Sequence, residues 1–375
     1  MNSIFNFSFV NIIYYFYFKI KICLFYFKSK KHKYTERRKA MQGIKITGTG
    51  SYIPDRVVTN DDFAKFLDTS DEWIYTRTGI KRRYYNTDKM NFQMGAAAAE
   101  SALKSAGISA KDIDMIILSC CTPDFFYPNT ACLIQGLIGA DNAACVDINT
   151  ACTGFITALD MARRYLCTGD HTRILVVASE FLTRQQDFTD RTSCFLFGDG
   201  AGAVVVEAAD KPFYSVMGAK SDLLDSLYCK VEYTSNMPLE GFTDYEGYLK
   251  DKNFKTVEQN RHLQMDGKAV YRFAVDAMAE CFAKVCEKAG VKSSDIDIVI
   301  PHQANLRIIN SALKSMDVPN ERVYVNLEEH GNTSSACIPT ILDEINGKGV
   351  LTEGKKMALV GFGGGLTYGS VYMEL

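Results

Sequence analysis

One stretch of this sequence recurs 183 residues further along the chain, and this repeat constrains the fold more than any other feature. The segment AGISAKDIDMII at 106–117 matches AGVKSSDIDIVI at 289–300. The same shift, without gaps, places Asn149 on Asn332 and the apolar run at 174–177 on the run at 357–360. Agreement of three separate segments under one shift indicates two copies of one structural unit. We therefore expect two similar halves related by a pseudo-twofold axis.

Each copy alternates β-rich runs with helical stretches, a pattern typical of an α/β fold. In chain order, the patterns predict a helix at 92–106, a strand at 114–120, a helix at 154–167, a strand at 173–178, a helix at 273–289, a strand at 296–301 and a helix at 305–316. We expect the first half to span residues 41–212 and the second to span residues 213–375.

The two copies differ at positions that can carry chemistry. The shift places Cys152 on Ser335 and His302 on Ser119. A candidate nucleophile therefore lies only in the first half, and a candidate histidine only in the second. We expect the site to form where the loops of the two halves meet.

Composition limits the possible functions. The hydrophobic fraction of 47% and the charged fraction of 23% are ordinary for a packed globular protein. The net charge of −2 hides an acidic body, because the first forty residues hold nine bases and one acid and leave about −10 on the rest. Such a body is a poor binder of nucleic acid. Twelve cysteines without CxxC pairs and five scattered histidines predict no metal site and favour a reducing cytoplasm.

The first forty residues form a separate segment with three competing interpretations. Residues 1–18 are uncharged and aromatic. Three asparagines interrupt them and two lysines follow, which weakens the interpretation of the segment as a membrane anchor. A secretory signal needs positive charge before the apolar run and a small-residue cleavage site after it, and neither is present. The third interpretation is translation of an AT-rich upstream stretch, with Met41 as the true start. We expect residues 1–40 to be a non-native or disordered extension, without membrane association.

Cys152 is the strongest candidate nucleophile among the cysteines. It lies in DINTACTGF at 147–155, after a predicted strand and at the start of a predicted helix. Free amides and the positive dipole at a helix start favour a thiolate, and we expect them to lower the pKa from about 8.5. Most cysteines in apolar runs are buried packing residues. The strand–turn–helix position sets Cys152 apart and is typical of acyl-transfer nucleophiles.

Three further motifs lie in the second copy. His302 ends a predicted strand in IPHQANLR, although a lone histidine there is more often structural. Asn332 lies in HGNTSSA, which also fits a simple turn and helix cap. The run VGFGGGLTYG at 360–369 allows backbone amides to approach a ligand but lacks the spacing of a nucleotide-binding loop. A further glycine-rich run at 197–202 predicts close packing before a strand at 203–207.

Together these motifs identify a known family. The segments NTACTGF, PHQANLRI, HGNTSSA and GFGGGLTYGS, with GTGSYIPDRVVTNDD and DTSDEWIYTRTGIKRR near the start, resemble β-ketoacyl-acyl-carrier-protein synthase III of the thiolase superfamily. The resemblance runs from Ile44 to Leu375. It implies a layered αβαβα fold and a homodimer. It also implies condensation of an acyl-CoA primer with malonyl-acyl carrier protein, releasing carbon dioxide and starting fatty-acid synthesis without metal or organic cofactor.

The resemblance assigns roles to individual residues. It implies that Cys152 carries the acyl group as a thioester and that His302 and Asn332 bind the malonyl thioester carbonyl. Two such donors suit the enolate that decarboxylation generates. The backbone amides of Cys152 and Gly364 would hold the oxygen of the acyl group. The synthases that elongate chains have a second histidine in place of Asn332, and thiolases have a second cysteine. Cys337 is near, but we interpret it as a packing residue.

Two sets of binding residues follow from the resemblance. Trp73, Arg77, Arg191 and Asn305 are implied for coenzyme A, and a tryptophan and an arginine four apart on a helix can stack on a nucleotide. Lys268 replaces an asparagine that some members use near the pantetheine. A basic residue at Arg272 is implied for docking of the acyl carrier protein, and helical spacing adds Arg307 and Lys314 on one face. All three could instead be ordinary solvated charges.

Two alternatives remain open. One is a condensing enzyme of specialised metabolism with the same fold and another acyl acceptor. The other is an inactive subunit that only shapes a partner, and the combination of Cys152, His302 and Asn332 argues against it. The primer could be acetyl-CoA or a short or branched acyl-CoA, because the depth of the acyl pocket depends on side-chain geometry.

Overall fold

The computed structural model describes residues 43–230 and 262–375, so the expectation for residues 1–40 lies outside the described residues. The strands, in chain order, are β1 (Gly43–Tyr52), β2 (Arg56–Thr59), β3 (Arg82–Tyr85), β4 (Met115–Ser119), β5 (Ala144–Ile148), β6 (Arg173–Glu180), β7 (Gly200–Ala209), β8 (Phe213–Ala219), β9 (Leu227–Tyr228), β10 (Gln264–Met265), β11 (Ile298–Pro301), β12 (Lys356–Gly363) and β13 (Thr367–Glu374). The α-helices are α1 (Asn60–Ala64), α2 (Asp71–Thr78), α3 (Asn91–Ala106), α4 (Thr130–Ile138), α5 (Gly154–Thr168), α6 (Gly267–Ala289), α7 (Leu306–Met316), α8 (Leu327–His330) and α9 (Cys337–Gly347).

The two main sheets have equivalent strand orders, except that the second lacks a full fifth strand among the described residues. The first sheet runs β1-β7-β6-β4-β5, and the second runs β8-β13-β12-β11. In the first, β4 is parallel to β5 and β6, and β7 is antiparallel to β6 and β1. In the second, β11 is parallel to β12, and β13 is antiparallel to β12 and β8. An isolated parallel bridge between Val299 and Val323 occupies the place of the fifth strand.

The repeat seen in the sequence is also a repeat in space. A shift of 183 residues carries all of β6 onto β12. It also carries the 3-10 turn Ala110–Asp112 onto Ser293–Asp295, and the turn Ala151–Thr153 onto Ser334–Ala336. The predicted duplication of an α/β unit is therefore confirmed.

Helices and sheets alternate in five layers. Helices α3 and α4 cover one face of the first sheet, where Leu175 and Val177 point. Helices α5 and α9 lie between the sheets in a cluster that includes Ile174 of the first sheet and Leu359 of the second. Helices α6 and α7 cover the outer face of the second sheet at Val360. Because α5 and α9 lie between two apolar sheets, their first residues are held in a rigid, buried setting.

Some element boundaries differ from the predictions. Helix α6 begins at Gly267 rather than at residue 273, because the side chain of Asp266 accepts hydrogen bonds from the amides of Lys268 and Ala269 and caps the helix there. The polar first turn hides this start from an apolar pattern. Strand β7 begins three residues before its predicted start, at Gly200. Among the helices that the structure describes, none combines the length and apolar character needed to span a bilayer.

Candidate active site

Cys152 lies in the 3-10 turn that leads directly into helix α5. The amide of Ala151 donates to the side-chain oxygen of Asn149 at 3.1 Å, which holds the turn ahead of the cysteine. Cys152 as a residue is half-buried, and its sulfur accepts a hydrogen bond from the hydroxyl of Ser334 at 3.4 Å. A turn from each half of the molecule therefore meets at this sulfur.

The electrostatic setting of Cys152 differs from the expectation. Burial, together with a smaller effect of the negative charge of the Glu180 carboxylate, raises the pKa of the Cys152 thiol to about 12. The Ser334 hydroxyl and a backbone amide lower the pKa, but by less than burial raises it. The predicted lowering of this pKa by the helix start is therefore wrong, because loss of water around the sulfur outweighs those donors. Cys152 rests as a neutral thiol.

The glycine-rich loop between β12 and β13 packs against the cysteine turn. A Cβ atom at Gly363 would lie 2.7 Å from the backbone nitrogen of Cys152, so only glycine allows this approach. A Cβ atom at Gly364 would lie 3.5 Å from the Cβ of Ala151. The structure thus brings Gly364 beside the turn that carries Cys152.

His302 is buried at the end of β11, with its amide bonded to the carbonyl of Val360 at 2.8 Å. Its ring packs edge-on against Phe362, with centroids 5.5 Å apart. Its Nδ1 lies 3.1 Å from the sulfur of Cys337, whereas its Nε2 has no hydrogen-bond partner among the described residues. Burial lowers the pKa of His302 to about 3, so the ring is neutral at physiological pH.

Asn332 is buried just before the 3-10 turn Ser334–Ala336. Its amide donates to the carbonyl of Leu196 at 2.9 Å, and its own carbonyl accepts from the amide of Gly198 at 3.0 Å. Its side-chain oxygen accepts from the amide of Ser334 at 2.8 Å. This bond orients the side chain and leaves its NH₂ group as the donor for a ligand.

Two residues of the site, Ser334 and Glu180, were not predicted from the sequence. Cys337, interpreted there as a packing residue, is buried beside His302. Glu180 ends β6 with a fully buried carboxylate that accepts from the hydroxyl of Ser335 at 2.6 Å and from that of Thr122 at 3.0 Å. Burial raises the pKa of Glu180. The repeat contained the signal for it, because the shift places Glu180 on Gly363 and Cys152 on Ser335. The contact between Glu180 and Ser335 is therefore the symmetry equivalent of the contact between Gly363 and Cys152, and each joins the two halves.

The residues implied for coenzyme A converge around the half-buried ring of Trp73. The guanidinium carbons of Arg77 and Arg191 lie 4.1 Å and 4.8 Å from its centroid. The edge of Phe195 packs against it at 5.6 Å. Asn305 donates to the carbonyl of Arg77 at 3.0 Å and caps helix α7, so it joins the two elements. Lys268 lies on the first turn of α6.

The residues predicted for docking all lie on the outer layer of the second half. Arg272 is exposed on α6, and Arg307 and Lys314 are exposed on α7. The hydroxyls of Tyr271 and Ser311, 2.8 Å apart, join the two helices beside them. Within residues 43–230 and 262–375, none of the three bases forms an ion pair.

Comparison with known proteins gives the family. Residues 146–222 match the model of 3-oxoacyl-[acyl-carrier-protein] synthase III, and residues 286–375 match the model of its C-terminal part. The β-ketoacyl-[acyl-carrier-protein] synthase III of Clostridium acetobutylicum is 42% identical over 336 residues, covering 89% of this chain and 99% of that protein. The chain belongs to the 3-oxoacyl-[acyl-carrier-protein] synthase III family.

Solved structures of synthase III and its relatives share the fold. The 3-oxoacyl-[acyl-carrier-protein] synthase III of Aquifex aeolicus is 38% identical, with a TM-score of 0.80, and the match covers 89% of this chain and 100% of that one. The priming β-ketosynthase of the R1128 polyketide pathway is 35% identical, with a TM-score of 0.79, covering 89% and 97%. The layered thiolase-like fold and the class of acyltransferase-type condensing enzyme are confirmed. Because the curated clostridial relatives carry the synthase III name, the specialised-metabolism alternative is not favoured.

Proposed function

We propose that this chain joins an acyl-CoA primer, either acetyl-CoA or a short or branched acyl-CoA, to malonyl-acyl carrier protein by decarboxylative condensation. The product is a 3-oxoacyl-acyl carrier protein, which starts fatty-acid synthesis. One observation carries this proposal: the turn of the second half that Asn332 orients donates the Ser334 hydroxyl to the sulfur of Cys152 in the first half. In it, residues 41–212 supply the nucleophile, and residues 213–375 supply His302 and Asn332.

The first step transfers the acyl group to Cys152. The sulfur attacks the thioester carbonyl, the bond to the coenzyme A sulfur breaks, and the proton of the thiol passes to the departing sulfur. The backbone amides of Cys152 and Gly364 stabilise the oxyanion formed between these events. No external base is consumed, which suits a resting thiol whose pKa burial raises to about 12.

The second step uses the donors of the second half. The malonyl thioester loses carbon dioxide and leaves an enolate, whose oxygen accepts from Nε2 of His302 and from the NH₂ group of Asn332. The enolate carbon attacks the acyl carbonyl, and the bond to Cys152 breaks. The released thiolate takes up one proton from water, because burial strongly favours the neutral thiol.

The binding partners have separate places in this proposal. The adenine of coenzyme A stacks on Trp73 beside Arg77 and Arg191, with Asn305 holding the edge of that site. The acidic acyl carrier protein docks on Arg272, Arg307 and Lys314. We place the enzyme in the cytoplasm as a homodimer, on the family resemblance. Both steps use only side chains, backbone amides and substrates, so the proposed reaction uses no metal or organic cofactor.

A reconstituted condensation assay tests the proposal. Purified protein is incubated with acetyl-CoA and malonyl-acyl carrier protein, and both carbon dioxide and the carrier-bound product are measured by mass spectrometry. We expect equal amounts of both. Acylation of Cys152 without any decarboxylation of malonyl-acyl carrier protein would instead favour another acceptor.

A further inference from the structure

Cys337 makes a contact that packing alone does not explain. It is the first residue of α9 and is fully buried. Its sulfur lies 3.1 Å from Nδ1 of His302 and accepts from the amide of Gln303 at 3.4 Å. The sulfur therefore touches the one ring nitrogen of His302 that has a partner.

The protonation states of this pair follow from their surroundings. Burial raises the pKa of Cys337 well above its usual range and lowers that of His302 to about 3, so both groups are neutral. The backbone amide of Gln303 already occupies an acceptor site on the sulfur, so the hydrogen of the thiol is available to Nδ1. A neutral imidazole that accepts at Nδ1 carries its own proton on Nε2.

We propose that Cys337 is a positioning residue that holds His302 in the tautomer with its proton on Nε2. This inference rests on the proposed function, in which that nitrogen donates to the enolate oxygen. Nε2 has no partner among the described residues, so its hydrogen is free for a substrate. With the proton on Nδ1 instead, Nε2 would present a lone pair to the developing negative charge and oppose the reaction.

The equivalent positions in the first half show why the pair of Cys337 and His302 occurs only in the second half. The 183-residue shift places Cys337 on Gly154 and His302 on Ser119. At Gly154 any Cβ atom would collide with the hydroxyl of Ser119. The same place in the fold therefore holds two small groups in one half, and a thiol donor with an imidazole acceptor in the other.

Two substitutions test the role of the thiol. Cys337→Ser keeps a donor at the same place, whereas Cys337→Ala removes it. Cys281→Ala is the matched control, because Cys281 is another fully buried cysteine and lies on α6 with its sulfur on the carbonyl of Met278. Nitrogen-15 NMR of the histidine rings reports the tautomer directly. The chain has five histidines, and the signal of His302 is assigned by its loss in His302→Gln.

We expect wild type, Cys337→Ser and Cys281→Ala to show His302 protonated on Nε2, and Cys337→Ala to show a mixture of tautomers. We also expect kcat for malonyl decarboxylation to fall about threefold to tenfold in Cys337→Ala alone, the size of one neutral hydrogen bond. Acylation of Cys152 should be unchanged in all four proteins.

An unchanged tautomer in Cys337→Ala would overturn the inference, as would equal loss of kcat in Cys337→Ser and Cys337→Ala. Failure of the proposed function has a different signature. In that case the wild type itself would not decarboxylate malonyl-acyl carrier protein, whereas the NMR spectra would still report whether Cys337 sets the tautomer.

Discussion

Ala151 and Ser334 lie 183 residues apart and share an uncommon backbone conformation, with φ of 46° and 51°. Each donates its amide to the side-chain oxygen of the asparagine two residues earlier, Asn149 at 3.1 Å and Asn332 at 2.8 Å. The same turn structure therefore occurs once in each half. In the first half it presents Cys152, and in the second it presents a hydroxyl to that same cysteine.

The hydroxyl of Ser334 should tune the reactivity of Cys152. In Ser334→Gly the backbone can keep φ near 51° without strain, but the donor to the sulfur is lost. Because this donor lowers the pKa of Cys152, its loss should raise that pKa and slow alkylation by iodoacetamide about fivefold at pH 8. The rate is measured from pH 7 to 10. The other titrating groups that interact with this sulfur, Glu180, Cys121 and Cys337, are left in place. An unchanged rate would show that the Ser334 contact has no effect.

His302 should make the stability of the protein depend on pH. Its folded pKa of about 3 lies below its ordinary value of 6.5, so between these values the unfolded chain binds a proton that the folded chain does not. Stability should therefore be full above pH 6.5 and fall as the pH drops, by up to about 1.4 kcal/mol per pH unit from this group. Urea unfolding at pH 4, 5, 6 and 7 measures it. His302→Gln should show a shallower slope, and parallel curves for the two proteins would contradict the assignment.

The cluster around Trp73 should recognise the nucleotide end of coenzyme A and not the acyl group. Trp73→Ala and Arg191→Ala should each raise the KM for acetyl-CoA on the order of tenfold, because the stacking surface for adenine is lost. Acetyl-pantetheine lacks the nucleotide and provides the control. The rate at which acetyl-pantetheine acylates Cys152 should not change. An equal loss of rate with acetyl-CoA and with acetyl-pantetheine would mean that the cluster does not act through the nucleotide.

The basic surface on α6 and α7 should affect only the carrier-bound substrate. Arg307→Glu should raise the KM for malonyl-acyl carrier protein about tenfold at low salt and less at high salt, because screening weakens exposed charge pairs. Lys104→Glu is the matched control, since Lys104 is exposed on α3 in the opposite outer layer. Self-acylation by acetyl-CoA should stay the same in both variants. Equal losses in the two would mean that net charge, not this surface, governs docking.

The sequence predicted the features that follow from its internal repeat. The repeat predicted the equivalence of Asn149 and Asn332, and the hydrogen bonds of the two turns confirm it. It could not predict the pKa of Cys152, because burial of that sulfur depends on loops more than 180 residues away. The contact of Cys337 with His302 was missed for the same reason: it depends on how α9 packs against the end of β11.

We expect Cys152 alone to carry the acyl group, and peptide mass spectrometry after incubation with acetyl-CoA measures where that group is attached. Wild type should gain one acetyl group on the peptide that contains Cys152. His302→Ala and Asn332→Ala should gain it too, since both act in the second step, whereas Cys152→Ala should gain none. An acetyl group on Cys337 or on any other cysteine of Cys152→Ala, at a rate close to that of wild type, would contradict the account.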